Sequence, residues 1–284
     1  MARRFSAPYH SEPVSSLATW SRNLAVFSVV AVVVSIAIVR FGFLEVKPAL
    51  ATFFGALACA VLSILTGLAA FAAIWQNGSR GMGRILLAFL ISTVVLAYPA
   101  YLGLHYRKLP PIHDITTDPI DPPRFEALAR LRGGDGANTA VYAGLYSAEQ
   151  QRLAYPGIET VELEVPALRA YEVTLALVNK RKWRVVDERP PQPRRDGRIE
   201  AIAQTPIMGF REDVTIRIKP DGEGSRVDIR SSSRYFESDL GSNAARVTRL
   251  IEDINSAADQ AKMPAKKPPA PAKAQAKNVK KERP

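Results

Sequence analysis

Residues 199–247 read IEAIAQTPIMGFREDVTIRIKPDGEGSRVDIRSSSRYFESDLGSNAARV. Ile199, Ala201 and Ala203 alternate with more polar neighbours, and so do Val214, Ile216 and Ile218. A period of two puts alternate side chains on one face of a strand. Asp221-Gly222-Glu223-Gly224 is a turn, and Val227 and Ile229 resume the alternation beyond it, the strongest hairpin signal in the chain. The period then lengthens. Leu240, Ala244, Val247, Ile251 and Ile254 share one helical face over residues 240–260, with Asp239 placed to cap it.

Upstream, residues 160–165 read as a strand. Pro166 opens a helix with Leu168, Tyr171, Leu175 and Val178 on one side, and residues 183–187 form the next strand. The resulting order, β-α-β-β-β-β-α, predicts an α+β domain over 125–261, an antiparallel sheet with helices on one face. That order resembles the helix-grip and TATA-binding-protein-like folds. Several of these hold an apolar ligand between sheet and helix, although fold alone does not establish function. Residues 125–132 suggest a short helix stopping at Gly133-Gly134, and 139–154 give only a weak helical pattern. Residues 105–124 are proline-rich and read as an extended linker.

The N-terminal third is different. Residues 23–104 are nearly free of charge and contain three apolar runs, at about 24–39, 49–75 and 85–104. Such runs predict three transmembrane helices. No small-x-small cleavage site follows the first, so it reads as a retained anchor after a cytoplasmic segment, 1–22. Arg3, Arg4, Arg22, Arg80 and Arg84 flank one side of the membrane, and Arg40, Lys47, Arg107 and Lys108 the other. The positive-inside rule then places the N-terminus in the cytoplasm and the domain in the periplasm of a bacterial inner membrane. No Asp, Glu, Lys, Arg or His lies within a span, which argues against transport and for anchoring. In the second span Ala51, Gly55, Cys59, Ser63 and Gly67 recur every four residues. They read as a helix-packing face toward another span, a membrane-protein partner or a second copy in a homo-oligomer.

The net charge of +11 is concentrated at the ends. Residues 1–104 carry seven Lys/Arg against two Asp/Glu, 262–284 carry eight against one, and 105–261 carry 23 against 24. The nearly neutral domain is not a nucleic-acid-binding one. The tail, 262–284, is Ala, Pro and Lys and is expected to be disordered. Its charge suits an anionic surface. Cys59 stands alone, so no intramolecular disulfide is available.

The segments IHDITTDPIDPP (112–123), AYPGI (154–158), IEAIAQTPIMGFREDVTIRI (199–218) and SRVDIRSSSRYFESDLGSNAARV (225–247) resemble the bacterial family known as domain of unknown function 1499. The resemblance covers about residues 109–257. It implies a domain boundary and membrane-tethered relatives, and no activity.

Candidate chemistry gathers at the last helix. Arg230, Arg234 and Arg246 flank its start, where Ser238, Asp239, Gly241 and Asn243 stand. A helix N-terminus and arginine forks together suit an anion, such as a lipid headgroup or cell-envelope polymer. A second reading has Asp239 capping the helix and the arginines pairing with Asp213, Asp228 or Glu237. His113, Asp114, Asp118 and Asp121 read as turn formers in their loop, and no metal or cofactor is expected. The histidines are His10, His105 and His113, and no G-x-S-x-G, CxxC, HExxH or phosphate-binding glycine loop is present. The expected function is a membrane-anchored binding module for an anionic or amphipathic lipid. A structural partner acting through the spans, and a hydrolase using carboxylates such as Asp213 and Asp239, are the alternatives.

Overall fold

The computed structural model describes residues 13–133 and 136–262. Arg3, Arg4 and the basic tail beyond Lys262 lie outside the described residues. Three long helices come first: α1 (Ser16–Phe41), α2 (Val46–Asn77) and α3 (Met82–Tyr106). At 1.5 Å per residue each is longer than a bilayer's hydrocarbon core of about 30 Å, and all three are long and apolar enough to cross a membrane. Each run extends beyond its apolar stretch because polar residues complete the ends. Ser15 caps α1 by accepting from the Ala18 N–H, and Gly42 closes it in the left-handed conformation. Phe27, Val30, Phe54, Leu65, Leu90 and Val94 point outward, a surface suited to hydrocarbon.

Small residues hold the bundle together. Ser21 and Ser63 exchange hydrogen bonds across α1 and α2, each hydroxyl donating to the other's carbonyl at 2.9 and 2.8 Å. The buried stripe of α2 is Ala49, Ala56, Ala60, Ser63, Gly67 and Ala70, which corrects the expected packing face. A helix advances 100° per residue, so each four-residue step drifts by about 40° and Ala51 ends about 160° from Gly67. Ser63 and Gly67 lie inside, Cys59 lies at the margin, and Ala51 and Gly55 face outward. A Cβ on Gly67 would meet the Phe89 ring at 2.6 Å and the Ser21 hydroxyl at 2.9 Å, whereas one on Gly55 would meet nothing.

The rest of the chain forms the predicted α+β domain. Its elements are β1 (Asp114–Thr116), α4 (Ala127–Leu131), α5 (Leu145–Ala154), β2 (Val161–Leu163), α6 (Ala167–Lys180), β3 (Arg184–Arg189), β4 (Gly197–Gln204), β5 (Arg211–Asp221), β6 (Gly224–Ser233) and α7 (Ser242–Lys262). The sheet order is β1-β6-β5-β4-β3, with antiparallel neighbours throughout. β2 pairs with the first part of β6 and β1 with its last part, so these two short strands share one edge. β1 lies within the stretch expected to be a linker. A three-residue strand buried on both faces shows no alternation from which to be read. It pulls Ile112 and Ile115 into the core.

The two faces of the sheet differ. Ile199, Ala201, Val214, Ile216, Ile218, Val227 and Ile229 join Ala170, Tyr171 and Val178 of α6 and Val247, Leu250 and Ile254 of α7 in the main core. The opposite face is covered by the segment running from β1 through α4 toward α5. There Phe125 and Leu128 meet Ile202 in a smaller cluster. The two long helices thus share one face as expected, and α4 adds a partial layer on the other. β6 runs four residues past Ile229, where the side chains of Arg230, Ser231 and Ser233 find buried partners.

Hydrogen bonds tie the bundle to the domain at the end of α1. Arg40, at the end of α1, donates to the carbonyls of Pro206 and Ile207 in the β4–β5 loop, at 2.9 and 3.4 Å. Gly209 packs against Arg40 with φ +72°, a conformation and a proximity that a side chain would resist. Gly67→Leu is expected to lower the detergent-solubilised protein's unfolding transition by the equivalent of about 1–3 kcal/mol of overpacking, and Gly55→Leu to leave it unchanged. Thermal unfolding followed by circular dichroism measures both.

Candidate functional site

The residues expected to form one anion site are divided between the faces of the sheet. On β6 and one residue beyond it, the even-numbered Asp228, Arg230 and Arg234 point toward the α4 layer, and the odd-numbered Ser231 and Ser233 toward α7. Arg230 is buried. It donates through Nε and Nη2 to both carboxylate oxygens of Asp114, at 3.0 and 2.6 Å. Its Nη1 and Nη2 also reach the carbonyls of Pro123 and Ala140. The guanidinium lies 4.5 Å from the centre of the Phe125 ring and 5.5 Å from that of Tyr142. Burial pushes the Tyr142 hydroxyl up to about 12, with the Asp114 charge adding to the effect.

Arg234 is buried on the same face. It bonds Asp213 through Nε and Nη2 and the Leu131 carbonyl through Nη1. Arg132 holds the other oxygen of Asp213 at 2.8 Å. Arg217 is bound by Asp118, Asp121 and Asp228. The loop acids around His113 are therefore ion-pair partners as well as turn formers. The Glu200 carboxylate accepts from the N–H groups of Glu126 and Leu128, capping the short α4 from the sheet beneath it.

On the α7 face Asp239 accepts from the N–H groups of Gly241 and Asn243 at 2.9 and 2.6 Å. The helix itself begins at Ser242, so Leu240 is released from the expected apolar face and lies outside the helix with φ +54°. Gly241 sits just ahead with φ +80°. Asn243, buried in the first turn, receives hydrogen bonds from Ser231 and Arg246 on its carbonyl oxygen and donates to Ser233 and the His113 carbonyl. Arg246 also pairs closely with Glu212, which accepts from Ser233 and Ser242 as well. Ser238 stays outside, its hydroxyl accepting from the Leu240 N–H. Arg230 and Arg234 thus do not join Arg246, and each already has a carboxylate. Asp213 and Asp239, considered as a carboxylate pair, likewise belong to opposite faces.

An apolar cavity of about 240 Å³ opens beside Asp239, where the domain meets α3. Tyr98 and Leu102 supply the helix side, the loop residues Ile207, Met208 and Phe210 the second wall, and Phe236 and Leu240 the third. Ile207, Phe236 and Leu240 are 42%, 43% and 38% exposed. Phe236 and Leu240 both hold positive φ, 70° and 54°, a conformation costing a bulky residue about 1–2 kcal/mol. Arg211 stands at the rim, exposed and without an ion pair among the described residues. The sequence showed these apolar residues singly, and only the approach of α3 groups them. Burial raises the Asp239 carboxyl above its ordinary value, against the two N–H bonds that favour its charge.

Residues 114–254 match the model of a family described as protein of unknown function (DUF1499). No curated protein matches the chain.

Two outcomes follow from these contacts. Arg230→Leu leaves Asp114 charged and uncompensated, and should cost about 3–5 kcal/mol in unfolding free energy. Combining it with Asp114→Asn should recover part of that loss in denaturant titration. Asp239, with its raised native value, favours the fold most below its ordinary pKa near 3.9. That contribution is lost as pH rises through the raised value. The stability of Asp239→Asn relative to wild type should therefore increase as pH climbs from about 4, read from unfolding midpoints at each pH.

Proposed function

The chain belongs to the DUF1499 family of proteins of unknown function, and from that premise we propose that it is a membrane-anchored binding module for an anionic, amphipathic lipid. The observation that carries this reading is the cavity shared by α3 and the domain. It is apolar, it opens against α3, a helix long and apolar enough to cross a membrane, and one of its walls consists of two exposed apolar side chains on left-handed backbone. Exposed apolar groups held in strained conformations are costly unless something covers them.

An acyl chain leaving the bilayer along Tyr98 and Leu102 would lie between Ile207, Phe236 and Leu240. Its headgroup would then reach Arg211, whose planar fork suits phosphate or carboxylate. Glu212 sits deeper and is neutralised by Arg246, so the far end of the cavity does not repel an anion. The helices serve as tether and as one wall. Their three-span arrangement and the Lys/Arg distribution support a periplasmic domain on a bacterial inner membrane.

A second reading rests on Ala51 and Gly55, small residues that face outward from α2. They would let a further membrane helix approach closely and would make the protein an assembly partner.

Native mass spectrometry of the protein from mild detergent tests the first reading. Bound phospholipid is expected on wild type. Phe236→Asp and Leu102→Asp should abolish it, and Arg211→Glu should reduce it while shifting the remainder toward zwitterionic species. Equal lipid retention in wild type and Phe236→Asp would overturn the proposal.

A further inference from the structure

A second concavity lies on the α4 face of the sheet, remote from the membrane helices. It is a cleft of about 440 Å³ between the β3–β4 loop, β4, β5 and the segment before α4, and no residue of the helical bundle lines it. β4 runs from Gly197 at the cleft to Gln204 beside the β4–β5 loop that Arg40 holds. Seven residues at 3.3 Å separate the two ends by roughly 23 Å.

Six arginines line the cleft against Asp121, Glu126 and Asp196. Three of them are held by carboxylates: Arg189 by Asp187 and Glu126, Arg198 by Asp187, Glu126 and Glu200, and Arg217 by Asp118, Asp121 and Asp228. The other three, Arg124, Arg194 and Arg195, are exposed and make no ion pair among the described residues. The loop that carries two of them is shaped in advance. Gln192 and Arg195 exchange both backbone hydrogen bonds, at 2.8 and 3.0 Å, with Pro193 and Arg194 at the tip. Proline at the first inner position restricts the turn. Gly197 closes the loop, since a Cβ there would meet the Pro191 ring at 2.8 Å.

The floor of the cleft adds a separate observation. Thr215 is fully buried and lines the cleft, yet its hydroxyl has no hydrogen-bond partner. Nε of Arg198, nearby, is instead turned to the buried Glu200 carboxylate at 3.4 Å. A buried polar atom left unpaired costs about 1–3 kcal/mol, so the Thr215 hydroxyl at the base of a cationic cleft points to an acceptor that belongs there.

We propose that this cleft is a binding site for a multiply charged oxyanion, a phosphate- or pyrophosphate-bearing ligand that reaches the domain from solution. The Thr215 hydroxyl donates to one oxyanion at the floor, and Arg124, Arg194 and Arg195 close over the outer charge. The site is independent of the lipid cavity, which lies at the other end of β4 and uses different residues.

Inorganic pyrophosphate titrated into the full-length detergent-solubilised protein by calorimetry at low salt is the direct test. Saturable one-site binding is expected. Arg194→Ala with Arg195→Ala should weaken it by roughly tenfold or more, the scale of one lost charge-assisted hydrogen bond. Thr215→Val should weaken it several-fold, whereas Thr215→Ser, which keeps the hydroxyl, should restore it. Lys180→Ala, on the other face, should leave it unchanged. Absence of saturable binding overturns the proposal, and so does a loss in Lys180→Ala equal to that in the arginine pair, which would mark diffuse charge attraction. A third arm uses phosphatidylglycerol vesicles. If Arg194→Ala with Arg195→Ala lowers vesicle binding and not pyrophosphate binding, the ligand is a lipid headgroup and the proposal fails.

Discussion

Arg230 and Asp114 place two full charges beneath a closed layer of protein, and the layer is organised by how those charges are satisfied. Asp114 occupies both Nε and Nη2 of the guanidinium. The remaining contacts go to the carbonyls of Pro123 and Ala140, one on each side of α4. A single side chain thus ties down both arms of the segment that covers the second sheet face, with Phe125 and Tyr142 against its own planar surface. Removing either charge would leave the other unpaired in a low-dielectric site, which is costly. The same pair fastens β1, too short to be held by its own ladder, to the edge of β6.

This constraint separates the domain into two chemistries. One sheet face is packed by α6 and α7 in the manner of an ordinary apolar core. The other is a polar network in which Arg132 and Arg234 share Asp213, Arg217 gathers three acids, and Glu200 caps α4. Such networks hold their geometry because every partner must be present for any to be satisfied. The network thins toward the β3–β4 loop, where unpaired arginines and the orphaned Thr215 hydroxyl collect. The apolar face meets the membrane helices at its other end, where Phe236 and Leu240 are held out of the core. The two candidate sites stand where each layer runs out.

Residue patterns explain how much of this was readable in advance. The hairpin of β5 and β6, the helices α6 and α7, and the three apolar spans follow local periodicity, and the structure agrees with them. The anion site drawn around Arg230, Arg234 and Arg246 failed on the same rule that found the strands. Continuing the alternation past Ile229 sends Arg230 and Arg234 away from Ser231 and Ser233, so they cannot meet Arg246. The stripe from Ala51 to Gly67 failed similarly, because a four-residue step is not a helical turn and the drift accumulates. Leu240 fitted the helical period but fell outside the helix, since Asp239 caps from Gly241 and Asn243 onward.

By itself the sequence determined the apolar spans, the α+β order of elements and the concentration of charge at the ends, all properties of composition or short-range period. Tertiary structure alone decided which carboxylate each arginine meets, that Asp114 belongs to a strand, that Gly67 and not Gly55 faces inward, and that Tyr98 approaches Phe236 and Leu240. These depend on contacts between residues distant along the chain, such as Arg230 with Asp114. Local period encodes which face a side chain occupies, and it carries no information about what stands opposite that face.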